Sequence, residues 1–460
     1  MSSWYCTNPD TLSELTDDFD CPNVGDSEDP ISYESGGFHP VYLGEFYDNG
    51  RYRIVHKIGA GDIATVWLAR DSVLSAWVAL KIIRANESLS VQEGIFRCHD
   101  IFHQHKDPRF ITPTRYFHIH GLNGRHLCLV LPFCGPSLAT LSDLWLSRVQ
   151  PRWARALAFQ AAEILRDLHS LGLCHGNIRP NNLLLRIKNL DHLDDNGIYH
   201  LFGQPKIDQV KTETGRLPGP EVPRYIVGFL DFMSSNEDIL KNEVCLIGLE
   251  DAFHVSSPPE VVNQLPQYLA PEVAIGKRAT QANDVWALGL AISNLRAGFI
   301  PFMEGNIGGP VDLVTTVIQY FGNLPASWTE PLYHFYSGCA TLDKKNGVSR
   351  VTCDETLSLK QWISNIWDEP VDLNENTNTP AKPFIIRDED GTHPRSYEWL
   401  GKDLAAVITY DPNDLEWLLS IHNNMERPYP EHYAKRFWKP CATKIEGSYL
   451  PGNCGEEAES

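Results

Sequence analysis

The sequence lacks any apolar run of about 18 residues, and therefore lacks the pattern of a membrane-spanning helix. Its N-terminal stretch, MSSWYCTNPDTLSELTDDFD, is acidic and has no charged-then-apolar order typical of a secretory signal peptide. We therefore expect a soluble, intracellular protein, in the cytoplasm or the nucleus.

Paired cysteines and basic residues are also scarce. The 11 cysteines are scattered from Cys6 to Cys454, without a CxxC pair or a Cys/His cluster at metal-ligand spacing. This favours reduced thiols and argues against a zinc site. The formal net charge of −20 makes nucleic acid or an anionic membrane an unfavourable main partner and permits a basic one, although acidic surfaces often serve solubility alone.

What the chain does contain is typical of a globular, enzyme-like protein, since 42% of its 460 residues are apolar. Residues 1–38 are polar, acidic and without periodicity, and they predict a disordered arm. After them, YRIVHKIG, TVWLARD and WVALKII predict three consecutive antiparallel strands. A helix over VQEGIFRCHDIF should follow, although Gly94 weakens that prediction.

The clearest predicted helix is RWARALAFQAAEILRDLHSLG, with one apolar face and with Gly172 placed to end it. It leads directly into the loop at residues 175–182, HGNIRPNN. Residues 186–243 are rich in Asp, Asn, Gly and Pro and predict a long insertion. NDVWALGLAISNLRAG then predicts another helix, and no internal repeat occurs.

The stretch KIGAGDIATVWLARD places Gly59 and Gly61 between two predicted strands, with Val66 after them. Glycines allow backbone amides to approach phosphate oxygens without a Cβ in the way. The third glycine of G-x-G-x-x-G is replaced by Ala64, and a chance hairpin turn would also explain the pattern. No strand-then-helix context surrounds it, which argues against a dinucleotide-binding Rossmann site.

Lys81 lies inside the apolar strand VALKII, where an ammonium group is costly unless it is paired. Glu93 on the following helix is a suitable partner. Together they are typical of the pair that holds the α- and β-phosphates of ATP in protein kinases. The alternative is a lysine that extends from an edge strand into water.

Five motifs occur in the order found in protein kinases: the Gly-rich loop, VALK, HGNIRPNN, APE at residues 270–272 and DVWALG at residues 284–289. With these motifs, residues 52–298 resemble a eukaryotic protein kinase, in particular the SR-protein kinase group and its fungal relatives. Ala64, the insertion and QLPQYLAPE favour this group. The resemblance implies an α+β, two-lobed fold with a small β-rich N-lobe at residues 39–134. A large helical C-lobe at 135–440 would contain the insertion 186–243, followed by a tail at 441–460.

The resemblance also implies the ligands and the site. It implies ATP and Mg²⁺ as cofactors, residues 131–134 (LPFC) as the hinge that meets adenine, and a protein substrate or partner that is basic or Arg/Ser-rich. Arg179 would be the cation of the catalytic loop, and Asn182 a metal ligand. The implied nucleotide-binding residues are Ile58, Gly59, Ala60, Gly61, Val66, Ala79, Lys81, Glu93, Phe133 and Cys134.

Two positions depart from the kinase pattern. Asn177 stands where kinases have the Asp that accepts the substrate proton, and an amide cannot take a proton at neutral pH. Gly248 stands where kinases have the Asp that binds magnesium, and Glu250 or Asp251 are the nearby carboxylates that could substitute for it.

Smaller departures point the same way. Gly176 replaces an Arg that pairs with activation-loop phosphate, and Leu265 replaces a common Thr. The leading interpretation is an ATP-binding Ser/Thr kinase-like domain of the SR-protein kinase type whose phosphoryl transfer is weak or lost. The alternatives are a pseudokinase that acts as a protein-interaction scaffold and a small-molecule phosphotransferase of the aminoglycoside type. CHGN and LIGLEDA resemble motifs of the aminoglycoside phosphotransferases, whereas the APE and DVWALG motifs have no role in that family.

Overall fold

The computed structural model describes residue 19, residues 23–142, 147–149, 151–212, 218–232 and 239–297, residues 313, 314 and 317, and residues 385–387. The described residues form two compact units, each discontinuous in sequence. The first unit lies within Met1–Gln92, Pro113–Phe133 and Asn189–Asp238. The second lies within Glu93–Thr112, Cys134–Lys188 and Ile239–Ser460.

The elements of the described residues are as follows. The strands are β1 (Phe46–Tyr47), β2 (Tyr52–Ala60), β3 (Ala64–Asp71), β4 (Ala76–Ile83), β5 (Arg115–Gly121), β6 (Gly124–Pro132), β7 (Ser147–Val149), β8 (Leu173–Cys174), β9 (Leu183–Ile187), β10 (Ile207–Gln209), β11 (Tyr225–Val227), β12 (Leu240–Leu246), β13 (Phe253–His254) and β14 (Ile385–Arg387). The helices are α1 (Ser88–Gln104), α2 (Leu138–Ser142), α3 (Pro151–Ser170), α4 (Asp195–Phe202), α5 (Pro271–Ala274) and α6 (Gln281–Ala297). Short 3₁₀ helices lie at Pro30–Ser32, Pro180–Asn182, Leu249–Asp251 and Pro266–Tyr268.

The first unit is built on an antiparallel sheet in the order β1-β2-β3-β4-β6-β5. The three strands predicted from alternating β-branched and aromatic residues are therefore confirmed as β2, β3 and β4. Trp67, Leu80 and Val130 share one face and pack in its hydrophobic core with Tyr52 and Ile54. The sheet thus buries one full face with side chains from successive strands.

Helix α1 confirms the predicted helix after the third strand. Gly94 is required there because a Cβ would collide with the backbone oxygen of Glu250. Residues 93–112 group with the second compact unit, and the predicted N-lobe at residues 39–134 stays a prediction. Phe110, which follows the helix, forms a parallel bridge with Leu246 of the same unit.

The second unit contains the two strongest predicted helices, α3 and α6, which pack on each other. The predicted apolar faces are buried: Ala154, Leu157, Ala158, Ala161, Leu165 and Leu168 on α3, and Val285, Leu288, Ile292 and Leu295 on α6. Gly172 ends α3 with a φ of +73°, a left-handed conformation that favours glycine. No helix among the described residues has both the length and the apolar character needed to cross a membrane.

The N-terminal segment corrects one prediction. Residues 23–38 are packed, so the predicted disordered arm over 1–38 is wrong for this stretch; residues 1–18 and 20–22 lie outside the described residues. Val24, Tyr33 and Phe38 are buried in one cluster with residues of the insertion, namely Val210, Val222 and Ile226. Single apolar residues that pack on a distant segment give no local periodicity.

The segment predicted as an insertion, residues 186–243, packs mainly with the first unit. Its residues 189–238 belong to that unit, and the predicted C-lobe bounds at 135–440 stay a prediction. Asp191 accepts a hydrogen bond of 2.8 Å from the Trp77 backbone, and Asp195 forms an ion pair of 2.7 Å with Arg53. Val227 on β11 enters the core of the main sheet. The predicted end of the C-lobe at 440 and the tail at 441–460 lie outside the described residues.

Candidate active site

Predicted nucleotide-binding residues from three strands of the first unit lie on one face of its sheet. Gly59 on β2 is directly opposite Val66 on β3, Val66 is opposite Lys81 on β4, and Lys81 is opposite Leu129 on β6. Directly opposed residues of antiparallel strands share a face, so these four form one row across the sheet. Ala79 lies two residues before Lys81 and shares the same face. The structure thus brings Gly59, Val66, Ala79 and Lys81 together.

The glycines of the turn after β2 are not explained by the surrounding protein. A Cβ built on Gly59 or Gly61 meets nothing within 4 Å, and neither residue has a positive φ. Gly94, by contrast, is required by a backbone contact. The open space at residues 59–61 therefore fits a ligand that approaches the backbone closely, as a phosphate group does.

Phe133 and Cys134, predicted to belong to the hinge, have different surroundings. The Phe133 ring packs against Phe202 and Phe232, with ring centroids 6.2 and 6.1 Å away, so insertion residues hold it. Cys134 is buried in the second unit, with its Sγ 3.8 Å from Sγ of Cys245. Glu93 is exposed on α1 in the second unit, and its pairing with Lys81 stays a prediction.

In the second unit, a buried carboxylate of α6 fixes the start of the loop at residues 175–182. Asp284 is fully buried and accepts hydrogen bonds from the backbone amides of His175 at 2.7 Å and Gly176 at 2.9 Å. His169 Nε2 lies 3.0 Å from the same carboxylate. The sequence signal for this anchor was the aspartate at the start of DVWALG, which we did not include among the predicted site residues.

His175 continues the anchoring. Its Nε2 donates to the Ile247 carbonyl at 2.9 Å and its Nδ1 accepts from the Asn177 backbone at 3.1 Å, which the neutral tautomer protonated at Nε2 satisfies. Gly176 has a φ of +77°, and a Cβ there would lie 2.9 Å from the Phe253 ring. The backbone of the loop is therefore fixed on both sides of Asn177.

Asn177, at the position of the catalytic base, is paired with a carboxylate. Its Nδ2 donates to Asp251 Oδ2 at 2.8 Å, and the other Asp251 oxygen accepts from Asn263 at 3.1 Å. Asn177 is buried, and its Oδ1 has no hydrogen-bond partner. Sequence reasoning identified both residues but missed their pairing, because nothing local indicates a contact between positions this far apart.

Gly248, at the position of the metal-binding aspartate of kinases, lies against the predicted metal ligand Asn182. Gly248 has a φ of +82°, and a Cβ there would lie 3.0 Å from Asn182 Nδ2, which itself donates to the Asn177 carbonyl at 2.7 Å. Asp251 is engaged by two amides, and among the described residues no group of three or more His, Cys, Asp or Glu could hold a metal. Mg²⁺ usually needs one or two carboxylates. Gly248 therefore supplies no carboxylate beside Asn182, and the Asp251 carboxylate accepts hydrogen bonds from Asn177 and Asn263. A role of Glu250 or Asp251 as a substitute metal ligand stays a prediction.

The remaining loop residues lie close to the APE motif. Arg179 is half-buried, and its charge lies near Tyr268, whose pKa is nevertheless raised by burial. Gln264 donates to the Ile178 carbonyl at 3.4 Å and accepts from Asn283 at 2.7 Å. Asn283 also accepts from the backbone of Ala270, so α6 connects the loop to residues 270–272.

The protein kinase domain family matches residues 52–222. Protein kinase dsk1 of Schizosaccharomyces pombe is 31% identical over 177 residues, which are 36% of this chain and 32% of that protein. SRSF protein kinase 3 of Homo sapiens is 33% identical over 172 residues, which are 35% of this chain and 30% of that protein. For these relatives, the chain spans less than a third of their length.

A longer match comes from serine/threonine-protein kinase SRPK of Physarum polycephalum, which is 27% identical over 335 residues, 67% of this chain and 76% of that protein. A crystal structure of a kinase domain superposes with a TM-score of 0.54 and 16% identity, covering 89% of this chain and 99% of that chain. The structural likeness shows the fold alone, and it confirms the predicted α+β, protein-kinase-like fold class.

Proposed function

Because the chain belongs to the protein kinases, in the SR-protein kinase group, we propose that it binds ATP and that its phosphoryl transfer to Ser or Thr of a protein is weak or absent. The observation that carries this proposal is the hydrogen bond from Asn177 to Asp251. It puts a hydrogen-bond donor, rather than a proton acceptor, at the position of the base.

ATP binding is supported by the row of Gly59, Val66 and Lys81 on one sheet face and by the open space at the glycines. Backbone amides of a glycine turn and one ammonium group are the phosphate contacts that protein kinases use. Because Gly248 supplies no carboxylate beside Asn182 and the Asp251 carboxylate already accepts two amide hydrogen bonds, we propose that the nucleotide binds with little help from the metal. Magnesium, when bound in a kinase, neutralises charge on the β- and γ-phosphates.

Weak phosphoryl transfer follows from the side-chain amide of Asn177 at the position of the general base. General-base assistance is worth about 10²–10⁴ in rate, and typical kinases turn over at about 1–100 s⁻¹. A loss of about 10⁴ would leave about 10⁻⁴–10⁻² s⁻¹. Asn177 Oδ1, which is buried and without a partner, can still accept a hydrogen bond from a substrate hydroxyl and orient it.

The substrate we propose is a protein segment rich in Arg and Ser. The name of the human relative, SRSF protein kinase 3, and the net charge of −20 both support a basic segment. The second candidate is a pseudokinase that binds a protein partner without transferring phosphate. The paired amide at Asn177 and the missing carboxylate at Gly248 favour this candidate.

The test uses the full chain, with thermal unfolding measured with and without ATP, in Mg²⁺, Mn²⁺ or EDTA. The variant Lys81→Ala removes the phosphate-binding cation, and Lys211→Ala, an exposed lysine of the same unit, is the matched control. Transfer of γ-phosphate to an Arg/Ser peptide is followed in the same samples. We expect stabilisation by ATP that persists in EDTA, disappears in Lys81→Ala and remains in Lys211→Ala.

Transfer then separates the two candidates. Slow transfer that disappears with Lys81→Ala supports a weak kinase, whereas none after hours supports the pseudokinase. An absence of any ATP-dependent shift in the unmodified chain contradicts the proposed ATP binding and with it the weak kinase, whereas the pseudokinase candidate does not require nucleotide.

A further inference from the structure

Strand β2 is irregular where it approaches the glycine turn. Its register with β3 shifts between Ile54 and His56 and again between Lys57 and Gly59. The second shift leaves Ile58, a predicted nucleotide-binding residue, as an extra residue in the strand. Such β-bulges bend a strand and change where its side chains point, and they occur often beside functional sites.

Lys57 directly precedes this bulge, and its side chain is fully buried. Its Nζ forms an ion pair with Glu28 of the N-terminal segment, and Glu28 is only 8% exposed. The ammonium also lies 4.8 Å from the centre of the Trp67 ring and 6.0 Å from that of Phe229. The Tyr33 hydroxyl donates to Glu28 Oε1 at 2.5 Å, so the carboxylate is held from a second side.

The insertion holds the backbone at the same place. The amide of Leu230 donates to the Lys57 carbonyl at 2.7 Å, and the amide of Phe229 donates to the Asp26 carbonyl at 3.1 Å. Two segments remote in sequence therefore converge on Lys57. A regular ladder would position this residue without them, but the ladder is interrupted on both sides of it.

A buried ion pair is a poor means of gaining stability, because dehydrating two charges offsets much of their attraction. Apolar residues of similar size are often equally stable. The ion pair instead gives the Lys57 side chain a single defined position, because a dehydrated ammonium group has few other favourable positions. We propose that the Glu28–Lys57 ion pair is a positioning device that fixes the bulge at Ile58 and thereby the conformation of the glycine turn at residues 59–61.

The consequence for ATP rests on the proposed function, whereas the consequence for the turn does not. Experiments therefore use two readouts on the full chain: hydrogen–deuterium exchange of residues 58–66 without nucleotide, and the Kd for ATP. Glu28→Gln removes the charge of the anion. Glu28→Leu/Tyr33→Phe/Lys57→Met replaces the whole buried set by apolar residues, and it also covers the case in which Glu28→Gln does not fold. Asp195→Asn is the matched control because it breaks a half-exposed ion pair to Arg53 on the same strand.

We expect exchange at residues 58–66 to rise about tenfold in Glu28→Gln and in the triple variant, with wild-type rates in Asp195→Asn. The thermal stability of the triple variant should stay near that of the unmodified chain, while its Kd for ATP rises about tenfold. Wild-type exchange and Kd in the triple variant would overturn the proposal, because packing alone would then suffice. If the unmodified chain shows no ATP binding, the proposed function fails, and the exchange rates still decide the role of the ion pair.

Discussion

The pairing of Asn177 with Asp251 makes the most direct repair of this site, Asn177→Asp, unfavourable. The substitution restores the proton acceptor of a protein kinase. It also replaces the Nδ2 donor, which lies 2.8 Å from Asp251 Oδ2, with a second carboxylate oxygen. Two carboxylates would then face each other, one at the buried position 177 and one at the half-buried Asp251.

The size of the penalty follows from electrostatics. Two unit charges about 3 Å apart repel by about 5–6 kcal/mol at an effective dielectric constant of about 20. Protonation of one carboxylate limits this cost, because each pH unit above an Asp pKa of about 3.9 costs about 1.36 kcal/mol, or about 4 kcal/mol at pH 7. We therefore expect Asn177→Asp to lower the free energy of unfolding by about 2–4 kcal/mol at pH 7.

The loss should shrink as the pH falls. A shared proton raises the folded-state pKa of the pair, so the native variant binds more protons than the unfolded chain above pH 4, and its stability decreases as pH rises. Urea unfolding followed by tryptophan fluorescence at pH 5, 6 and 7 measures this. The control Asn177→Asp/Asp251→Asn exchanges the two groups and keeps one donor and one acceptor, so it should resemble the unmodified chain. An Asn177→Asp variant of unchanged stability at every pH would refute the reasoning.

Three further predictions concern other parts of the structure. Gly248→Asp is strained, because φ is +82° and the new Cβ would lie 3.0 Å from Asn182 Nδ2, but it puts a carboxylate beside Asn182. Stabilisation by ATP should therefore become larger in Mg²⁺ than in EDTA, and equal shifts in both, in a variant that still folds, would argue against this position as the missing metal ligand. Asp284→Ala leaves two buried loop amides without acceptors and should lower the free energy of unfolding by about 2–5 kcal/mol, and a urea midpoint within error of the unmodified chain would contradict the anchoring role. Burial lowers the pKa of His56 to about 4, so the unfolded state binds more protons than the folded state between pH 4 and 6.5. The free energy of unfolding should therefore fall as the pH drops over that range, by up to about 3 kcal/mol from this residue. His56→Gln should flatten this dependence of stability on pH, and an unaltered dependence would exclude His56 as the cause.

Local periodicity was sufficient to predict the regular elements near the site. β2, β3 and β4 alternate or carry β-branched residues, and α3 buries an apolar stripe that is visible in the sequence. The motifs also identified Asn177 and Gly248 as departures from the kinase pattern. Such departures are visible in the sequence because each motif residue has a fixed place in the order of the chain.

Contacts between remote segments could not be predicted in this way. Val24 packs with Val210 and Val222, and Glu28 pairs with Lys57 of β2. Apart from Lys57, these residues lie in stretches without periodicity. The meeting of Asn177 and Asp251 depends on a 3₁₀ turn after Gly248 that no local signal specifies. In each case the energy comes from a partner whose identity becomes visible only in three dimensions.

The discontinuity of the first unit has a consequence for its synthesis on the ribosome. Strands β2 to β6 leave the exit tunnel well before the segment that completes their core, because Val227 follows β6 by roughly a hundred residues, about 5–20 s of translation at ordinary rates. During that interval the apolar face around Tyr52 and Trp67 lacks part of its cover, and Lys57 lacks the backbone contact from Leu230. The nascent sheet therefore exposes apolar surface until residue 227 has emerged, and we expect codon changes that slow translation between β6 and β11 to lower the soluble yield without altering the finished protein.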